Sequence, residues 1–172
     1  MKKTDINPLP EYFDRYINLV KEPDLMDALQ NSLLALQTFD TNRLEKIGDK
    51  VYAPGKWTVK DILQHIIDTE RVFCYRSLRF ARADRTALPG YDENAYAVAA
   101  CATKRPLEKI LQELIGVRKS TIDLFNSFDE HTLLNKGITW KYEMSVLAMG
   151  FTISGHEIHH LNVIREKYDS LV

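Results

Sequence analysis

The chain has little cysteine. Cys74 and Cys101 are its two thiols, and no C-x-x-C spacing occurs, so neither a disulfide framework nor a cysteine metal cage is expected. No run of 18 or more apolar residues is present, which argues against a membrane-spanning helix. The opening sixteen residues, MKKTDINPLPEYFDRY, carry two lysines with no apolar stretch behind them. No secretory signal is read there, and a cytoplasmic location is expected. An excess of positive charge is also missing: 23 Lys and Arg stand against 24 Asp and Glu, a formal net charge of −1. With no surplus to neutralise phosphates, nucleic-acid binding is not expected. Arg76, Arg79, Arg82 and Arg85 gather locally, but their spacing of three reads as a solvated stripe on one helix. No repeat of 20 to 50 residues appears, which excludes a solenoid.

What is present suits one domain over residues 1–172, with 45 % apolar and 27 % charged residues. Prolines and glycines fall mostly between periodic segments. A short opening helix is expected from Pro10 to Val20. A first long helix, capped by Asp24, follows from Leu25 to about Ile47, where Gly48 stops it. Thr58 caps a second long helix, Val59 to about Arg82, with Asp61 completing a capping-box-like pair. The connection from Ala83 to Arg105 is long enough to hold a short helix of its own near Asn94 to Ala100. A third long helix, with Thr103 as its expected cap, enters through Pro106 and runs to about Phe128. Asp129 to Glu143 is mixed, with an extended stretch expected near Ile138 to Tyr142, and a fourth helix occupies Ser145 to Tyr168. Four long helices without a convincing set of strands predict an all-α antiparallel four-helix bundle.

The histidines interrupt this pattern. His156 and His160 lie four apart, which puts their Cβ atoms roughly 5–6 Å apart on one helix face. They share a stripe with Met149, Ile153 and Ile164, residues that belong inside. His159 is about 100° round the helix from His160 and cannot easily join them. On the second helix, His65 sits on the stripe Ile62, His65, Thr69, Val72, Arg76, beside a more apolar line. A lone inward histidine is usually a hydrogen-bonded core residue. An inward pair fits that reading less well, since each unsatisfied buried imidazole costs roughly 1–3 kcal/mol. A divalent metal held by His65, His156 and His160 would remove that cost and leave an open coordination position.

His156-Glu157-Ile158-His159-His160 also satisfies H-E-x-x-H, the zinc-protease motif. The metzincin extension is absent, however: Val163 and Glu166 stand where Gly and His are required, and only twelve residues follow His160. Glu157 is read as an ordinary helix-face charge. Glu70, Arg71, Tyr75, Asp92, Glu93 and Asn94 are read as caps, solvated charges or packing partners. Thr69, one turn beyond His65, is the residue best placed to steady that ring. Trp57 is read as a hydrophobic staple at the helix entry, Cys74 as structural and His131 as exposed.

Two segments carry a family resemblance. Lys56-Trp57-Thr58-Val59-Lys60-Asp61-Ile62-Leu63-Gln64-His65 resembles a W-[ST]-x-x-[DE]-x-[LI]-x-H helix entry, and Gly155-His156-Glu157-Ile158-His159-His160 a terminal H-x-x-x-H. Together they resemble the DinB/YfiT-like metalloenzymes. That resemblance implies an up-down-down-up four-helix bundle, often dimeric, with a divalent metal, zinc or nickel, on His65, His156 and His160. It further implies an enzyme acting on a small molecule, with a low-molecular-weight thiol such as bacillithiol as co-substrate. Thiol-dependent S-transfer is then the leading expectation, because a divalent metal stabilises the nucleophilic thiolate. The alternatives are metal-dependent hydrolysis and a non-catalytic, stress-related dimeric binding protein.

Overall fold

The structure is a computed structural model that describes residues 1–172. Its elements in chain order are α1 (Asp14–Ile17), α2 (Leu25–Gln37), α3 (Thr41–Ile47), α4 (Val59–Ala81), α5 (Glu93–Ala100), α6 (Leu107–Asn126), α7 (Glu130–Leu133), β1 (Lys136–Thr139), β2 (Tyr142–Ser145) and α8 (Val146–Lys167). The bundle consists of α2, α4, α6 and α8, each packed on two of the others, with α2 opposite α4 and α6 opposite α8.

Side-chain pairings fix the directions. Between α4 and α6, Arg71 meets Glu113 and Cys74 meets Thr121, so partners rise together and the two helices run parallel. Ser32 meets Glu157, while Leu25 lies against Gly150, which makes α2 and α8 parallel as well. Tyr168 donates to the Trp57 carbonyl while His65 meets His156 and His160, so α4 and α8 are antiparallel. The result is an up-down-down-up bundle. Parallel α4 and α6 require the long return between them.

Local chemistry accounts for most boundaries. Asp24 accepts from the Met26 amide at the start of α2. Thr58 and Asp61 form a full capping box on α4, and Ser145 accepts from the Ala148 amide on α8. Three helix boundaries differ from the sequence expectation. The opening helix is confined to Asp14–Ile17 rather than Pro10 to Val20, because Tyr12 takes a left-handed φ of 71 just ahead of it. The first long helix is broken, because Asp40 accepts from the Asn42 and Arg43 amides and starts α3 afresh. Leu44 and Ile47 of α3 still reach the core, which is why the apolar spacing continues across the break. The third long helix begins at Leu107, with Pro106 rather than Thr103 at its cap. Arg105, held extended ahead of the proline (φ −102, ψ 143), separates Thr103's 3-10 turn from the helix. The mixed segment resolves into α7 and a hairpin, with Lys136 opposite Ser145 and Thr139 opposite Tyr142.

Two apolar clusters fill the bundle. One gathers residues of α1 and α2, the hairpin and the first half of α8, and the other lies around α3 and the first halves of α4 and α6. A buried polar layer receives one or more side chains from each bundle helix. Arg118 of α6, fully buried, forms a two-point pair with Glu70 of α4 at 2.8 and 2.9 Å and reaches Glu157 of α8 at 2.8 Å. Ser32 of α2 donates to Glu157 and accepts from Arg118, and Thr121 donates to Glu70. Glu157 is thus no helix-face charge. Between Val146 and Glu157 α8 is buried on every side, so its sequence shows no polar face from which to tell outside from inside.

Candidate metal centre

His65 enters from the first half of α4, and His156 and His160 from the middle of α8. The Nε2 atoms of His65 and His156 are 3.1 Å apart, as are those of His160 and His156. The three ligand atoms lie within 4.8 Å of one another. Two nitrogens bound at 2.0–2.1 Å to a tetrahedral zinc would stand roughly 3.3 Å apart. The donor set therefore fits a small divalent ion in spacing and in kind. It also fits in charge: burial depresses all three rings, His65 to about 4, His160 to about 3 and His156 well below the usual imidazole range. All three are neutral near pH 7, the form in which imidazole is a ligand.

Supporting contacts hold the rings. Thr69 Oγ1 lies 3.4 Å from His65 Nδ1 and 2.6 Å from the Tyr91 hydroxyl. An Nδ1–H donated to that oxygen leaves His65 Nε2 with its lone pair toward the other two histidines. Trp57 packs on His65 at 4.9 Å between ring centroids, so the residue read as a staple also walls the site. Tyr16 of α1 sets its ring edge against His156 at 5.3 Å. This approach depends on Gly155, where an added Cβ would fall 1.9 Å from the Tyr16 carbonyl oxygen. His159 lies outside the cluster and packs on Tyr16 at 5.5 Å.

The triad opens onto a cavity of about 730 Å³. Its floor follows one stripe of α4: His65, Thr69, Phe73 and Arg76. Its roof comes from three segments outside the bundle: Tyr12, Phe13 and Tyr16 near the N-terminus, Gly90 to Glu93 in the long connection, and Trp140 in the hairpin turn. The connection is tied to the hairpin by two backbone bonds, Leu88 N–H to Ile138 at 3.0 Å and Trp140 N–H to Leu88 at 2.8 Å. Trp140 adopts a left-handed φ of 57, uncommon for a bulky residue, and its ring closes over Gly90.

Arg76 does not belong to a solvated stripe, as its spacing suggests. It is only 5 % exposed, because the connection folds over it and the Pro89 carbonyl accepts from its guanidinium at 2.7 Å. Tyr16, Tyr91 and Trp140 are functional candidates that sequence reasoning misses. The one signal for them is the unusual length of the connection that carries Tyr91. Glu157 cannot act as the general base of a zinc-protease motif, since Arg118 and Ser32 hold its carboxylate in the buried polar layer.

No helix is long and apolar enough to cross a membrane. A family model described as DinB superfamily matches residues 25–164. A curated protein of Oceanobacillus iheyensis, named "Putative metal-dependent hydrolase", is 26 % identical over 156 residues, spanning 85 % of this chain and 88 % of the relative. Among solved structures, YfiT from Bacillus subtilis aligns with a TM-score of 0.66 at 18 % identity, over 91 % of this chain and 85 % of YfiT. That protein is described as "a probable metal-dependent hydrolase with an unusual four-helix bundle topology", and the likeness is one of fold. Bundle topology and a family match over most of its length agree: the chain belongs to the DinB superfamily.

Proposed function

We propose that this protein is a metal-dependent enzyme acting on a small organic molecule, with one divalent ion, zinc or nickel, held by His65, His156 and His160. The observation that carries the reading is the convergence of three neutral Nε2 atoms at the wall of a cavity of about 730 Å³, a size suited to a small-molecule ligand. A divalent ion with an open position supplies Lewis acidity and activates a nucleophile at neutral pH. The chain's own residues do the rest. The histidines orient three lone pairs, Thr69 holds the His65 ring by its far nitrogen, and the aromatic roof supplies apolar surface against a bound molecule.

Hydrolysis is the first reading, supported by the name given to the Oceanobacillus relative. Thiol-dependent transfer is the second, supported by the donor set, since a divalent ion with an open position stabilises a thiolate. Elemental analysis of untagged protein, beside His156→Ala, tests the common premise. One equivalent of metal in the wild type and its loss in the variant are expected; no bound metal after loading overturns the proposal. Turnover of an ester and amide panel without added thiol selects hydrolysis. Thiol consumption with an electrophile selects transfer.

A further inference from the structure

Two arginines are buried against the bundle, and their surroundings differ. Arg118 is matched by Glu70 and Glu157 and directs its donors to them. Arg76 has no counter-ion, although its guanidinium carbon lies 5.8 Å from the centroid of the Phe73 ring. Its one hydrogen bond goes to the neutral Pro89 carbonyl, and no carboxylate lies within ion-pair distance. Asp92 and Glu93 border the same cavity, but the Asp92 carboxylate caps α5 through the Asn94 and Ala95 amides, and Glu93 is exposed. A guanidinium has five N–H donors in a planar fork that fits a carboxylate through two parallel bonds. Burying that charge without a counter-ion is costly, and here the site borders a cavity rather than packed protein.

The position of Arg76 relative to the triad matters equally. Arg76 follows His65 by eleven residues, close to three full helical turns, so both lie on one face of α4 roughly 16 Å apart along the axis. Thr69 and Phe73 lie between them on the cavity floor, with Tyr91 and Trp140 above. One end of the cavity presents three ligating nitrogens and another a lone cation, with aromatic rings between.

We propose that Arg76 is a substrate-binding residue that receives the carboxylate of an aromatic or apolar acid, whose far end is thereby directed to the histidine triad. The proposal deepens the reading of the site as a small-molecule enzyme and holds for either nucleophile. It assigns the substrate class as small organic acids rather than neutral esters, sugars or cationic amines.

The test uses 3-phenylpropionate and its neutral amide, 3-phenylpropanamide, as probes. The chain's two tryptophans, Trp57 and Trp140, both line the cavity, so intrinsic fluorescence reports occupancy directly. Titrations are run on chelator-treated protein, which removes metal–carboxylate bonding as a competing anchor. Wild type is expected to favour the acid about tenfold, the scale of a charge-assisted pair. Arg76→Gln is expected to abolish the preference while leaving amide affinity unchanged. Arg76→Lys keeps the charge without the fork, so acid affinity falls several-fold and amide affinity stays; this variant carries the test if Arg76→Gln does not fold. Equal affinity for acid and amide in the wild type, a preference that survives Arg76→Gln, or unchanged acid affinity in Arg76→Lys overturns the proposal. Zinc stoichiometry, measured on separate aliquots of each protein reloaded with zinc after the chelator is removed, separates the two claims. Zinc bound without acid preference removes the arginine anchor alone, and acid preference without zinc removes the metal reading alone.

Discussion

Thr69 Oγ1 joins a triad ring to the roof of the cavity through His65 Nδ1 and the Tyr91 hydroxyl. Removing such an outer partner typically lowers metal affinity 10–100-fold. Thr69→Val, which keeps the shape and deletes the oxygen, is expected to weaken metal binding about tenfold in a competition titration with a chromophoric chelator. Thr69→Ser is expected to keep most of the affinity. Unchanged affinity in the valine variant would show that the hydroxyl serves Tyr91 alone. The histidines themselves are legible in the sequence because an i, i+4 pair of imidazoles on an apolar stripe fits a packing role less well than a lone histidine does, and Thr69 follows from helical spacing. Arg76 and Glu157 escape such a reading for opposite reasons. A segment distant along the chain buries Arg76, and α8 is so thoroughly enclosed that Glu157 has no polar face to belong to. Neither fact is local to the residue.

Among the elements, α1 is four residues long, yet it brings Tyr16 to the triad. It can do so because α8 offers a glycine at the crossing. A methyl at position 155 would overlap the Tyr16 carbonyl, a backbone atom that can yield only if α1 moves. Gly155→Ala is therefore expected to destabilise the protein by about 1–3 kcal/mol, the usual cost of overpacking, seen as a lowered thermal midpoint. It is also expected to leave the metal stoichiometry intact, since no ligand sits on α1. The four long segments are readable from caps and apolar spacing. The break before α3 is not, because Leu44 and Ile47 keep facing the same core after the chain has turned. The start of α6 is displaced from its expected place because Thr103 is a good cap by type, whereas Pro106 decides the backbone.

For the molecule as a whole, the triad, with His156 buried and His65 and His160 half-buried, ties stability to pH. In metal-free protein the ring of His65 titrates near 4 and that of His160 near 3, against 6.5 unfolded. Between these values the unfolded chain binds more protons, so folding stability is present above about 6.5 and is lost as pH falls toward 4. The slope reaches about 1.4 kcal/mol per pH unit for each ring that titrates. Thermal midpoints in chelator are expected to fall from pH 7 to pH 4.5, less steeply in His65→Gln. Equal slopes in the two proteins would refute the assignment. The bundle and its direction of travel are foreseeable from four helices and two motifs. The cavity is not, because segments from three separate parts of the chain assemble its covering.

That covering has an evolutionary corollary. The ligating nitrogens belong to α4 and α8, whereas much of the wall facing a guest belongs to the N-terminal stretch, the α4–α6 return and the hairpin turn. Substitutions in those three stretches can retune which molecules are accepted while the ion-holding frame stays untouched. Descendants of one ancestral bundle could thus diverge widely in what they consume and still share three histidines.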